Sequence, residues 1–271
     1  MNMKHIIILT IFTIILVSFI SSASFPKDKS IIRSTVEEEI VFIEYTTATW
    51  CPQCPGASET LYNLNTKDIS FYYISLVVDM NPAAQQRSQE YTNYAIPSVY
   101  FDGGYIHHIG SNGVLSDIYS SSIDESSQRS NRKPVNLTGS VEINDEQNMN
   151  LIINITNTGN QQYTGRIRSY ITEKESRWND ADGNPYHFAL LDFALNKQIR
   201  IKKGETITLK TQWNPQDTSF EDPITNVNPN NLMIFTTVSH WIPHFRSGFI
   251  QFPYLQFYFA HYIDQVVLTI P

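Results

Sequence analysis

The stretch TATWCPQCPG (residues 47–56) holds both cysteines of this 271-residue chain, Cys51 and Cys54. Two cysteines separated by two residues can be a redox couple, a metal clip or a structural staple. A ring this small stabilises a fold by only about 2 kcal/mol on the loop-entropy estimate, so stapling is a poor reason to have it. A closed zinc site needs four ligands and there is no second C-x-x-C; His107 and His108 complete one only if the fold brings them close. The residues favour the redox couple, with no metal and no cofactor expected.

The flanks fit that reading. Ile40 to Tyr45 (IVFIEY) is a β-branched and aromatic run preceded by Glu37, Glu38 and Glu39, the pattern of a buried strand. After Cys54, Ala57, Leu61 and Leu64 recur at i, i+4 and i+7 and mark the inner face of a helix. The pair therefore sits where a strand hands over to a helix, whose free N–H groups and positive end stabilise a thiolate. Cys51 is the outer sulfur and the expected nucleophile. Pro52 is expected in the first helical turn, where its missing N–H costs nothing.

Residues 69–79 (ISFYYISLVVD) read as a second strand, and Asn81-Pro82 as an N-cap followed by a first-turn proline opening a helix through Tyr94. Residues 95–106 (AIPSVYFDGGYI) form two short strands around an Asp-Gly-Gly turn, entered through Pro97. A helix from Val114 to about Ser127, with Val114, Ile118 and Ser122 on its inner face, completes β-α-β-α-β-β-α. The crossovers require parallel pairing in the first half and a hairpin in the second.

Residues 36–132 thus resemble the thioredoxin superfamily. Trp50-Cys51-Pro52-Gln53-Cys54 looks like its active-site motif, and Ile96-Pro97 before the 99–101 strand looks like its cis-proline loop. The resemblance implies that Cys51 attacks a substrate disulfide, that Cys54 resolves the mixed disulfide, and that Pro97 lies in cis beside the sulfurs. A cis Pro97 would expose the backbone of Ile96, so that an extended substrate segment adds as a short strand. Trp50 is either an apolar platform at the site or a residue packed at the strand end. The family has a buried acid in the strand before the motif. Tyr45 stands at that place, and Glu44, one step away, is a candidate proton relay only if a bulge turns it inward, because strand side chains alternate. His107 and His108 should face opposite ways, one exposed and one packed.

Lys4 and His5 precede an uncharged apolar run, Ile6 to Ile20, followed by Ser21, Ser22, Ala23 and Ser24. Residues 1–24 read as a signal peptide or, alternatively, as a retained membrane anchor. Either places the folded part outside the cytoplasm, where disulfides persist. A net charge of −7 offers no basic surface for nucleic acid.

The serine-rich, charged stretch 121–134 ends at Pro134 and marks a domain boundary. Beyond it the apolar period is two: Val135, Leu137, Val141 and Ile143, then, after a turn at Asn144-Asp145-Glu146, Met149, Leu151, Ile153 and Ile155. Further strands are expected over 165–172, 188–201, 206–213, 232–239 and 258–270. Residues 134–271 are therefore expected to form an all-β sandwich resembling the immunoglobulin-like class. Residues 179–184 (NDADGN) hold oxygen ligands for calcium but lack the glutamate of an EF-hand, and read as a solvated turn. Asn136 and Asn154 lie in glycosylation sequons on outward positions. The aromatic run from His240 to Tyr262 reads as a domain-docking or core segment, with contact to a membrane surface or to an unfolded substrate as rivals.

The expected function is an extracytoplasmic thiol–disulfide oxidoreductase that exchanges disulfides with exported proteins and draws on a redox partner the sequence does not name. The N-terminal segment offers membrane association. Two alternatives stay open: a cell-surface binding or adhesion protein whose sandwich carries the function, and a thiol- or copper-delivery factor.

Overall fold

The structure, a computed structural model, describes residues 39–67, 70–92, 95–144, 148–216, 226–251 and 254–271, with the side chains of 247–256 excepted. The proposed signal or anchor segment, Tyr94 and the turn residues Asp145 and Glu146 lie outside the described residues. Among the described residues no helix is long and apolar enough to cross a membrane.

The first half follows the expected order: β1 (Val41–Thr47), α1 (Cys54–Lys67), β2 (Phe71–Val77), α2 (Pro82–Gln89), β3 (Ser98–Phe101), β4 (Ile106–Ile109) and α3 (Leu115–Ser127). β1 and β2 pair in parallel, β3 runs antiparallel to β1, and β4 closes the hairpin. Local chemistry sets these elements. The Asn81 side chain accepts from Ala83 N and Ala84 N, capping α2 with Pro82 in its first turn. The β3–β4 turn needs positive φ at Asp102, Gly103 and Gly104, and a Cβ on Gly103 would stand 2.2 Å from the His261 carbonyl oxygen. Ala57 and Leu61 of α1 are fully buried in one core with Val41, Ile43 and Tyr45 of β1.

Two local expectations are corrected. On α3 Ser122 is buried and Ile118 packs on the core as expected, beside Tyr119, Ile123 and Ser126, whereas Val114 is exposed because it precedes the helix as its N-cap. His107 and His108 are both half-buried: His107 stacks on Tyr100, and His108 bonds Ser122 Oγ at 2.7 Å. Each face of β4 is covered, one by Tyr258 beyond the hairpin and the other by α3.

The second half is strand-rich: β5 (Val135–Ile143), β6 (Met149–Asn157), β7 (Tyr163–Asn179), β8 (Pro185–Ile201), β9 (Thr206–Trp213), β10 (Leu232–His240), β11 (His244–Gln251), β12 (Tyr254–Ala260) and β13 (Ile263–Thr269). β5, β6 and β9 form one sheet. Its apolar positions Val135, Leu137, Ile153 and Ile155 pack on Ile167, Ile199, Val238 and Val267 of the facing strands, which makes a sandwich. The alternation read over 135–155 is the reason: Leu137, Leu151, Ile153 and Ile155 point inward and are buried while their neighbours point out.

The facing sheet does not stop at the end of the sandwich. Its order is β13-β10-β7-β8-β2-β1-β3-β4, so strands from both sides of Pro134 share eight-stranded continuity through a parallel bridge between Ser75 and Ala189. β7 and β8 run 17 residues each, far longer than a typical strand. The first part of β8, Tyr186 and Ala189, packs into the core of the α/β half; its last part, Leu195, Ile199 and Ile201, packs into the sandwich.

The aromatic run also differs from expectation. Instead of one last strand over 258–270, the chain makes a separate hairpin, β11–β12, before β13 joins β10. Tyr258 turns inward against Tyr91 and Tyr100, while Phe245, Phe257 and Phe259 face outward. The 179–184 segment is the β7–β8 turn, in which Asp180 Oδ1 accepts from Asp182 N and Asn184 N.

Candidate functional site

Cys51 and Cys54 are joined as a disulfide, with Cα atoms 5.4 Å apart. Cys51 lies in the turn between β1 and α1, and Cys54 opens the helix, its N–H donating to the Cys51 carbonyl at 3.2 Å. Pro52 therefore precedes the helix and is exposed, rather than occupying its first turn. Cys51 is 3% exposed and Cys54 fully buried, so Cys51 is the sulfur nearer to solvent. Trp50 stands out from the surface at 67% exposure, as a platform would and a packed residue would not. Ala48 and the partly buried Val78 and Ile96 pack on the disulfide. The Ile96–Pro97 bond is cis. The strand–turn–helix and the loop entering β3 thus meet at the sulfurs, bringing Ile96 to the pair. A cleft of about 550 Å³ opens beside Pro52 and Gln53, between α1 and the 111–116 segment.

Three residues hold the motif, of which the sequence marked only Tyr45, for its place and not for this bond. Tyr45 Oη donates to the Cys54 carbonyl at 2.8 Å, on the face of β1 that carries α1. Asp79, at the end of β2, accepts from Thr49 N and Thr49 Oγ1, fixing the loop just before Trp50. From β8, Tyr186 Oη donates to the Ala48 carbonyl at 3.0 Å and lies 3.0 Å from Thr47 Oγ1. Burial, together with the nearby Asp180 and Asp79, pushes the Tyr186 hydroxyl up to about 12 against a bond from Thr47 that lowers it, so it is a neutral donor at any ordinary pH.

Glu44 occupies the opposite face of β1 from Tyr45. Its fully buried carboxylate accepts from Arg87 Nε and Nη2 at 2.7 Å each, from Tyr91 Oη, and from Tyr170 Oη of β7 at 3.0 Å. Burial alone would raise its pKa; the charge and hydrogen bonds of Arg87, with the Tyr91 bond, outweigh that and hold it below the usual carboxylate range. No bulge interrupts β1 in its pairing with β2, so alternation keeps this carboxylate away from the sulfurs and in a structural cluster. Among the described residues no group of three His, Cys, Asp or Glu side chains could hold a metal, and His107 and His108 are engaged with Tyr258 and Ser122. In the sandwich, Asn136 is exposed, and Asn154 Oδ1 accepts from Thr208 Oγ1.

This arrangement can carry a two-electron dithiol–disulfide exchange, with an outer sulfur at the mouth of a helix and a buried partner one turn away. The glutaredoxin family model matches residues 43–106, which span β1, both cysteines, Pro97 and the start of β4. That segment is a glutaredoxin- or thioredoxin-like domain, and the pair it carries supports thiol–disulfide redox function. Among solved structures, the chain is similar to HBP35 of Porphyromonas gingivalis, with 12% identity over 85% of this chain and 74% of that one and a TM-score of 0.60. It is also similar to protein AGR_C_4864 from Agrobacterium tumefaciens, with 14% identity over 87% and 96% and a TM-score of 0.50. At such identities the likeness speaks for the fold. No curated protein sequence matches the chain.

Proposed function

We propose that this protein is an extracytoplasmic thiol–disulfide oxidoreductase that exchanges disulfides with exported protein substrates. The single observation that carries the chemistry is the Cys51–Cys54 disulfide at the β1–α1 junction, packed by Ile96, whose bond to Pro97 is cis. The apolar run Ile6 to Ile20 followed by small residues supports export, with cleavage or anchoring deciding whether the protein is membrane-associated.

In the reducing direction the Cys51 thiolate attacks a substrate disulfide. A mixed disulfide forms, and one substrate sulfur leaves as a thiolate that takes up a proton. The Cys54 thiolate then attacks the Cys51 sulfur, closing the disulfide and releasing the second substrate thiol. Two electrons pass from the protein to the substrate. Trp50 and Pro52 present the exposed rim of this site, and Ile96 with Pro97 offers backbone for an extended segment.

Insulin reduction with dithiothreitol tests the reading. The intact protein should accelerate it and Cys51→Ser should abolish the acceleration, while Cys54→Ser should accumulate a mixed disulfide. An intact protein without activity sinks the proposal and favours a binding protein on a redox-inert scaffold.

A further inference from the structure

A second site stands apart from the disulfide, where α2 meets the sandwich sheet. Glu90 at the C-cap of α2, Arg166 and Arg168 of β7, His240 at the end of β10, Trp241 and His261 line a cavity of about 170 Å³. Its charges do not balance. In the network around it Arg87, Arg166 and Arg168 supply three guanidiniums against the two carboxylates of Glu44 and Glu90, leaving 3 − 2 = 1 positive charge. Arg87 spends its donors on Glu44, Glu90 and Tyr91. Among the described residues Arg166 has a neutral partner, donating to Asn196 Oδ1 at 2.6 Å.

Arg168 is the telling residue. It is 5% exposed, its Nη2 bonds Glu90, and its Nε is buried with no partner among the described residues. A buried guanidinium normally satisfies its fork of donors, because each unpaired buried N–H costs about 1–3 kcal/mol. Here one N–H of the fork, the buried Nε, is unsatisfied in a side chain that lines a cavity. Repulsion follows the same pattern: burial first, then the neighbouring Arg168, lowers the pKa of Arg166. Burial, with Arg168 and Arg87, also lowers that of His261, although its bond to the His240 carbonyl opposes this. An anion in the cavity would oppose the repulsive part of both shifts.

We propose that this cavity binds a small oxyanion of the phosphate type, held by Arg166 and Arg168 with His240 and His261 beside it. Arginine suits such a group because its planar fork meets two oxygens at once. The phosphate can be free or the headgroup of a lipid, since Trp241, which lines the cavity, and its chain neighbour Ile242 are exposed.

The test is calorimetric titration of the full chain with inorganic phosphate against chloride at matched ionic strength. One saturable site per chain is expected, weakened at least about tenfold by Arg166→Gln through loss of a charged hydrogen bond. Arg166 is partly exposed, so the variant should fold, and its insulin-reduction rate should match that of the unaltered protein. Co-sedimentation with phosphatidylglycerol vesicles but not phosphatidylcholine vesicles, lost in Arg166→Gln, would assign a lipid headgroup. Phosphate binding without such retention would assign a soluble ligand. Absence of saturable binding, or equal binding by the variant, overturns the proposal.

Discussion

Tyr186 of β8 donates its phenolic hydrogen to the carbonyl of Ala48, 138 residues earlier in the chain and three residues before Cys51. The strand that belongs to the sandwich at one end therefore braces the loop carrying the disulfide at the other. Tyr186→Phe keeps the ring but removes the bond to the Ala48 carbonyl, which keeps its other donor, Cys51 N, at 3.1 Å, and it deprives the buried Thr47 Oγ1 of a partner. Urea unfolding should show a loss of about 1–2 kcal/mol, and insulin reduction should slow. Stability equal to that of the unaltered protein would mean that the brace is idle.

Removing the charge from the Glu44 cluster should do more. Glu44→Gln leaves the buried Arg87 with Glu90 as its remaining carboxylate and should cost about 3 kcal/mol in urea unfolding, because a buried ion pair broken on one side leaves the other charge only partly compensated. The pH dependence has a definite sign. Against burial in both cases, Arg87 holds Glu44 below the usual carboxylate value of 4.5, and Arg87 and Arg168 hold Glu90 below it likewise. Their contribution is complete above 4.5 and fades as pH falls through the folded values, so the acid slope should be shallower in Glu44→Gln.

Histidines set an earlier limb of the same curve. Burial holds His107, His108, His187, His244 and His261 below 6.5, with His108 adding to the effect on His107 and His240 to that on His244. In each, the unfolded chain binds the proton more readily. Stability should be complete above 6.5 and decline as pH falls below it, before the carboxylates respond. A flat unfolding free energy between pH 7 and pH 5.5 would contradict this.

Two glycines should respond oppositely to alanine. At Gly103, φ is +72° and the new Cβ meets the His261 carbonyl oxygen, so Gly103→Ala should cost about 2 kcal/mol or more and lower the melting temperature by several degrees. At Gly56, inside α1, a Cβ meets nothing within 4 Å, and Gly56→Ala should stabilise by about 0.5–1 kcal/mol.

What the sequence revealed, and what it concealed, divides by distance along the chain. The strand before Cys51, the Asn81 cap and the turn at Asp102-Gly103-Gly104 are set by immediate neighbours, and each stands where the residue pattern puts it. The opposite orientations of Glu44 and Tyr45 follow from strand alternation alone. By contrast, Ser75 opposite Ala189, Tyr186 on Ala48 and Tyr170 on Glu44 join residues more than a hundred positions apart. A tyrosine in a strand carries no local mark of the carbonyl it will reach. The β11–β12 hairpin was hidden for a different reason: aromatic residues fall on both of its faces, so its period gives no sign that Tyr258 turns in while Phe257 and Phe259 turn out.

The most direct test of the redox account is the pH dependence of alkylation of reduced Cys51, followed by mass spectrometry so that Cys54 is scored separately. A sulfur at the mouth of α1 should ionise below about 8.5, the value for a free cysteine, and Cys51 should react ahead of Cys54 at every pH. A Cys51 that titrates at or above that value, or that reacts no faster than the buried Cys54, would contradict it.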